Sequence, residues 1–436
     1  MALEALAQAA VAVTGSTSPP TFENVAFHRS LVVPADEKLT LRILALVTRP
    51  DRVRLAIRCD NTGFGVDHVS AECRFDAWRG TPADLESLQA GIRSPEEAIR
   101  VDIYDSLLFH AGRFRRVGKY FSLESRSCCA EIDVDRECSW FSALRPGTLQ
   151  LHDPGARDAA IHAVQACVPD SRLLPTRVER IVQGGSSASG PWRAFARETA
   201  SDGTSYVYDI HVFGSDGELC ESWYGLRFRD VGPIAADCWA LPLLRNHLER
   251  QVRKRVCNDR LRLAVRNGAD ISKSARRSDA LAALQTESAL VFRRPDGKRT
   301  VPASETEVSV SHATDLTLAV SAPGPVACDL EPVRERSAVE WSDLLGTEYA
   351  GLAHTVASHS GEGRDAAATR IWASRECLKK SGAGFDAPLT LVGGDDSRWV
   401  TFRSGGREIA TFVTRLGPAG AEMTFAVLAG GDDARV

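Results

Sequence analysis

Residues 3–13 read LEALAQAAVAV, a run of Ala and Leu with only Glu4 and Gln8 as polar interruptions. Ala and Leu are strong helix formers, so the run predicts a helix. A helix that is apolar on almost every side must be covered on almost every side. The segments that follow are the cover. Strand-like runs are predicted at residues 25–27, 31–33, 39–46, 53–59 and 69–75, where Val, Ile, Arg and Thr alternate between polar breaks. A second apolar helix is predicted at 158–167 (DAAIHAVQAC), with further strands at 178–182, 193–200, 205–213 and 223–229. The first 235 residues or so thus show helix plus strands twice, the pattern of two sheets each wrapped on a buried helix.

The strand pattern stops at 233–243. Beyond it Leu244, Leu248, Val252 and Val256 set a helical stripe at four-residue spacing. The Gly/Ser run at 184–190 lies between two strand candidates and is read as a surface loop. Two domains, 1–240 and 244–436, are expected.

Charge and cysteine usage bound the function. The net charge is -4, so the chain as a whole is not a basic nucleic-acid binder. The basic residues concentrate in 250–277, ten against two acidic ones, a surface suited to an anionic partner. Only seven of the 53 basic residues are Lys. The eleven Cys show no CxxC or other metal-type spacing, which points to reduced thiols in a cytoplasmic protein. No apolar run reaches the roughly 18 residues a membrane helix needs.

Two groups of residues carry candidate chemistry. Asp158 and His162 stand four apart on the second helix and share a face. An Asp in an apolar helix is expected to have a raised pKa, as a general acid requires. In the last third, a strand over 326–331 (VACDLE) places Asp329 and Glu331 on one side. A pair of carboxylates there suits a hard cation such as Mg²⁺. The helix carrying WASRECLKK puts Glu376 and Lys380 on one face, and a strand at 308–312 ends in Ser311-His312. Arg293, Arg294 and Lys298 form a basic turn before it.

The phrases YDSLLFHAGRF, GARDAAIHAVQACVP, LLPTRVERI and ESWYGLRFRD resemble polyketide synthase dehydratase domains. The resemblance spans 1 to about 240 and implies a double hotdog, with Asp158 as the acid and His162 at the companion position. The family's other catalytic residue, a His in HxxxGxxxxP, has no counterpart. His28 and His68 match no motif position, so the first hotdog is expected to be N-terminally truncated. The motifs SVSH, CDLE and WxxRExxxK resemble the 4'-phosphopantetheinyl transferase superfamily over 244–428. They depart from its pattern at Ala327, Cys328, Arg375 and Cys377. That resemblance implies an α+β transferase domain in which Asp329, Glu331 and Glu376 hold Mg²⁺. Glu376 and Lys380 would act in catalysis. Arg293, Arg294, Lys298, Ser311 and His312 would bind coenzyme A, whose phosphopantetheine passes to a serine of an acyl carrier protein.

The order of the two domains resembles the C-terminal part of an enediyne-type iterative synthase. The leading expectation is therefore Mg²⁺-dependent phosphopantetheinyl transfer. The alternatives are β-hydroxyacyl thioester dehydration and a non-catalytic carrier-docking module. A homodimer through the hotdog domain is also expected.

Overall fold

The computed structural model describes residues 1–75, 98–104, 106–135, 140, 149–184, 190–234, 238–268, 271–284, 292–293, 299–300, 306–384, 387–393, 398–417 and 420–430. The chain divides into two compact units, Met1–Ile234 and Ala235–Val436. Among the described residues no helix is long and apolar enough to cross a membrane.

Among its described residues the first unit is one antiparallel sheet of ten strands with two helices packed on it. Its strands are β1 (Thr21–Phe27), β2 (Leu41–Arg49), β3 (Arg52–Cys59), β4 (Val69–Arg74), β5 (Val117–Leu123), β6 (Ser127–Ile132), β7 (Ser171–Gln183), β8 (Trp192–Ser201), β9 (Ser205–Phe213) and β10 (Leu219–Pro233). They run in the order β2-β3-β4-β1-β7-β10-β9-β8-β6-β5. The β1–β7 pairing, with Phe22 opposite Ile181 and Val25 opposite Val178, joins the two halves into one sheet. All four of these side chains are buried. This is the α+β, antiparallel-sheet-plus-helix arrangement expected of a hotdog dehydratase.

Helix α1 (Ala2–Thr14) lies against β2, β3 and β4 and buries Leu3, Glu4, Leu6, Ala7 and Ala10. All-round burial fails in its last turn, where Val13 is exposed. Gly15 then ends the helix in the left-handed conformation, φ 70°, that glycine adopts without a Cβ clash. The strand expected at 31–33 does not form, and Val32 and Val33 are exposed.

Helix α2 (Pro154–His162) is the covered helix of the other half. Asp153 caps it, accepting from the Gly155 amide at 2.9 Å, and Pro154 takes a first-turn position that needs no amide donor. At Gly155 an added Cβ would lie 2.8 Å from the Arg113 carbonyl and 2.9 Å from the Trp140 ring. That close approach seats α2 beside residues 112–114. After His162 the chain tightens into a 3₁₀ turn (Ala163–Cys167), every residue of which is buried.

Among its described residues the second unit holds two sheets. One comprises β12 (Arg262–Asn267), β13 (Phe292–Arg293), β14 (Arg299–Thr300), β15 (Thr306–Ala313) and β16 (Leu316–Pro323), in the order β12-β16-β15-β14-β13. The other is β17 (Val326–Pro332), β21 (Glu422–Gly430), β20 (Arg407–Leu416), β19 (Trp399–Ser404) and β18 (Thr390–Gly393), with β11 (Cys238–Trp239) parallel to β20. The helices are α3 (Leu241–Arg255), α4 (Lys273–Ala282), α5 (Ala338–Leu345), α6 (Thr347–Ser360) and α7 (Arg364–Lys380). Ile371, Cys377 and Leu378 of α7 pack on Ala327, Phe402 and Leu428 of the second sheet. The unit is α+β, but nothing shows it to be a phosphopantetheinyl transferase domain.

Candidate active site

Asp158 sits in the middle of α2 and His162 one turn later. The His162 ring closes back on it, with Nδ1 3.3 Å from Asp158 Oδ2. A second imidazole arrives from the segment before β5. His110 Nε2 also lies 3.3 Å from Oδ2. The two imidazoles are in contact, their centroids 4.2 Å apart. His110 stacks on its exposed neighbour Phe109 at 4.7 Å and 15°. On the far side of His162, Tyr104 Oη is 3.0 Å from Nε2 and also accepts the Arg116 and Val117 amides, each at 2.9 Å. Sequence reading found Asp158 and His162 but missed His110. Its segment has neither helical nor strand periodicity, and its signal was only an imidazole closing an apolar Leu-Leu-Phe run.

His110, Asp158 and His162 line a cavity of about 200 Å³ whose remaining wall is mainly apolar, including Leu107, Leu108, Ile161, Leu173 and Phe228. Arg172, exposed on β7, lines it too. Behind the cavity, Arg157 and Glu221 form a buried two-bond pair at 2.7 and 2.5 Å, which braces α2 against β10.

The expected rise in the Asp158 pKa is not found. Burial pushes it up, but hydrogen bonds from His110 and His162 outweigh burial and hold it well below the ordinary carboxylate range. Burial lowers the His162 pKa, with Asp158 opposing. Burial raises that of Tyr104. Among the described residues, His110, Asp158 and His162 are the one trio of potential metal ligands whose ligand atoms all lie within 4.8 Å of one another.

In the second unit, Lys380 Nζ makes an ion pair with Asp329 Oδ1 at 2.7 Å and reaches the Cys328 carbonyl at 2.9 Å and Ser311 Oγ at 3.3 Å. Ser311 Oγ donates to the same Asp329 oxygen at 3.0 Å. Glu331 is half-buried, its pKa raised by burial and by the Asp329 charge. Glu376 pairs with Lys379 at 3.5 Å. Asp329, Glu331 and Glu376 do not form a trio of converging ligands, and Lys380 holds the cation position beside Asp329. Arg375 is taken up locally, donating to the Leu345 carbonyl at 3.0 Å with its guanidinium over Tyr349. His312 Nδ1 is 2.8 Å from Thr317 Oγ1 and its Nε2 is 3.3 Å from Arg277. Arg293 lies on β13, while Arg294 and Lys298 fall outside the described residues.

Residues 81–237 match the family model of the polyketide synthase dehydratase N-terminal domain. No curated protein matches the sequence. Among solved structures, the chain is similar to the dehydratase domain of the CurJ module of the curacin polyketide synthase. The TM-score is 0.43 at 18% identity, covering 54% of this chain and 83% of that one. It is also similar to the dehydratase domain of a mycocerosic acid synthase-like synthase, with a TM-score of 0.41 at 21% identity over 52% and 80% of the two chains. A third similarity is to the bifunctional dehydratase-cyclase domain of ambruticin biosynthesis, with a TM-score of 0.42 at 20% identity over 53% and 80%.

The match points to a dehydratase and overturns phosphopantetheinyl transfer as the function of this chain. The roles in coenzyme binding, metal binding and catalysis expected of Arg293, Arg294, Lys298, Ser311, His312, Asp329, Glu331, Glu376 and Lys380 were implied by that transferase resemblance alone, and the match to 81–237 does not reach these residues. Each motif behind that expectation specifies only four residues. Pairs such as Ser-His on a strand end or Asp-x-Glu on a buried strand also arise from ordinary hydrogen bonding and ion pairing, as the Ser311–Asp329–Lys380 contacts illustrate.

Proposed function

We propose that the first unit is a polyketide synthase dehydratase, removing water from a β-hydroxyacyl thioester carried by an acyl carrier protein. The observation that carries this reading is the place of Asp158. It lies within the matched family segment, on a buried helix, at the wall of a mainly apolar cavity able to take an acyl chain. Elimination moves one proton from Cα to the departing oxygen. The Cα–H electron pair becomes the double bond, and the Cβ–O pair leaves with the oxygen as water. The His110–Asp158–His162 cluster is the group at the cavity able to receive that proton and hand it on.

The reading includes a cytoplasmic setting, since the ten described cysteines are all free thiols, eight of them buried. It also includes a homodimer formed at the β2 edge, which no other described strand pairs. The test uses the full chain with a 3-hydroxyacyl-pantetheine thioester and, in reverse, the matching 2-enoyl thioester. Formation of the enoyl product, followed by its absorbance and mass, and its loss in Asp158→Asn support the reading. A folded protein that interconverts neither thioester sinks it.

A further inference from the structure

Cys59 ends β3 and His68 immediately precedes β4, so the two stand at the ends of the loop that joins these strands. Their side chains meet, with Cys59 Sγ 3.0 Å from His68 Nε2. Both residues are buried, at 2% and 3% exposure, although Asp60, Asn61, Gly63, Gly65 and Val66 between them are exposed. Backbone groups fix the imidazole. The His68 carbonyl accepts the His28 and Arg29 amides at 2.9 and 3.3 Å, and the His68 amide donates to the Ile57 carbonyl at 2.8 Å. Ring Nδ1 lies 3.3 Å from the carbonyl oxygens of both Arg29 and Ser30. A carbonyl only accepts, so Nδ1 carries the proton and donates it. Nε2 of the neutral ring is then bare, and the Cys59 thiol is its donor. The Thr62 hydroxyl, 3.8 Å from Sγ, gives its own proton to the Cys59 carbonyl at 3.0 Å. A thiol against a bare and oriented imidazole nitrogen is the arrangement of a nucleophile with its general base.

We infer that Cys59 is a site of oxidation by hydroperoxides, with His68 as the base that takes its proton. The thiol passes its proton to His68 Nε2. The thiolate sulfur attacks one oxygen of the peroxide, and an S–O bond forms as the O–O bond breaks. The sulfur is oxidised by two electrons to a sulfenic acid, and the peroxide is reduced. The departing oxygen leaves with the O–O electron pair and takes the proton back from His68, so hydrogen peroxide departs as water. A buried thiol with exposed loop residues beside it excludes bulky electrophiles and admits an oxidant hardly larger than water. Cys73 on β4 is the contrast. It is wholly buried, has no hydrogen-bond partner among the described residues, and burial pushes its pKa far up, so it stays protonated. The Cys59–His68 pair lies outside the matched segment 81–237 and lines no part of the Asp158 cavity, so the inference stands apart from the dehydratase reading.

Peroxide treatment of the full-length protein tests this. The folded protein is exposed to hydrogen peroxide for increasing times, catalase stops the reaction, and the chain is unfolded in excess dimedone, which tags sulfenic acids whatever their burial. Peptide mass spectrometry then gives a rate for each cysteine. A general base is worth about 100-fold or more, so Cys59 is expected to be tagged about 100 times faster than Cys73. In His68→Gln, whose amide cannot take the proton, the Cys59 rate should fall by a similar factor while the Cys73 rate and the circular dichroism spectrum stay as in wild type.

A Cys59 rate no higher than that of Cys73 overturns the inference, and this comparison within the wild-type protein decides the matter if His68→Gln fails to fold. A Cys59 rate that survives in folded His68→Gln also overturns it, because access to the thiol, and not the imidazole, would then set the rate.

Discussion

Glu4, wholly buried in α1, accepts the backbone amide of Leu151 at 2.8 Å and that of Gln150 at 2.7 Å. One carboxylate thus ties the first helix to the segment that leads into α2, nearly 150 residues away in sequence. The charge is tolerated because each oxygen receives an amide donor and Gln8 adds a third at 3.0 Å.

Replacing Glu4 with Ala leaves two amide donors without acceptors and is expected to cost about 2–4 kcal/mol. Glu4→Gln keeps one acceptor oxygen and is expected to cost about half that. Urea unfolding of both variants measures the difference. A loss under about 0.5 kcal/mol for Glu4→Ala would mean the tie is incidental.

Two groups at the cavity make stability depend on pH in different windows. The His162 pKa is lowered in the folded state, so below the unfolded value of about 6.5 the unfolded chain binds the proton first. Stability is therefore expected to fall from pH 7 to pH 5, and His162→Gln should flatten that slope. Asp158 is also depressed, so its contribution is complete above about pH 3.9 and is lost as the pH drops through the lower folded value. Denaturant midpoints at pH 7, 5 and 3 check both signs. A His162→Gln profile parallel to wild type between pH 7 and 5 would contradict the first.

The cavity shows where sequence reading reaches and where it stops. Helices α1 and α2 were legible because apolar periodicity is local, and most strands followed from alternation. Residues 31–33 have the composition of a strand, but a strand forms only where a partner edge is offered. The Asp158 pKa was expected to move the wrong way for a similar reason. Its environment was judged from α2 alone, and the deciding donor, His110, comes from 48 residues earlier. In the second unit the strands ending at Ser311-His312 and Asp329-x-Glu331 form where expected. What the motifs could not disclose is that Lys380 and Ser311 engage Asp329 directly.

Among the described residues strand β2 is an edge of the ten-stranded sheet, and eight of its nine residues are exposed. Leu41, Ile43, Leu44, Leu46 and Val47 are each 38–60% exposed. A nine-residue edge with apolar side chains on both faces invites strand pairing. Antiparallel pairing with the same strand of a second copy is self-complementary about a two-fold axis and closes the assembly at two. The wild-type chain is expected to have twice the monomer mass in light scattering at about 50 µM. The Leu44→Lys/Leu46→Lys double variant, with two charges on one face of the edge, should be monomeric with an unchanged circular dichroism spectrum. A monomeric wild type at that concentration would leave the β2 edge unpaired in solution.

In the second unit the costliest single side chain to replace should be Arg370, an arginine with no exposed surface in the middle of α7. Its Nε and Nη2 grip both oxygens of Glu362 at 2.9–3.0 Å. Nη1 donates to the Thr411 carbonyl at 2.8 Å and hydroxyl at 3.0 Å, and Nη2 also reaches the Arg398 carbonyl at 3.0 Å. The guanidinium thus links α7, the loop before it and two strands, using its planar fork in a way an ammonium cannot. Removing it strands the Glu362 carboxylate, which is 14% exposed, and leaves carbonyls on β20 and next to β19 short of a donor. The expected loss is about 3–5 kcal/mol for Arg370→Ala. Arg370→Lys should recover only a minority of it, because one ammonium cannot reach the carboxylate and both strands together. Trp399, fully buried on β19, provides the fluorescence signal for the unfolding curve. If Lys restores stability to within about 1 kcal/mol of wild type, the charge matters and the fork geometry does not.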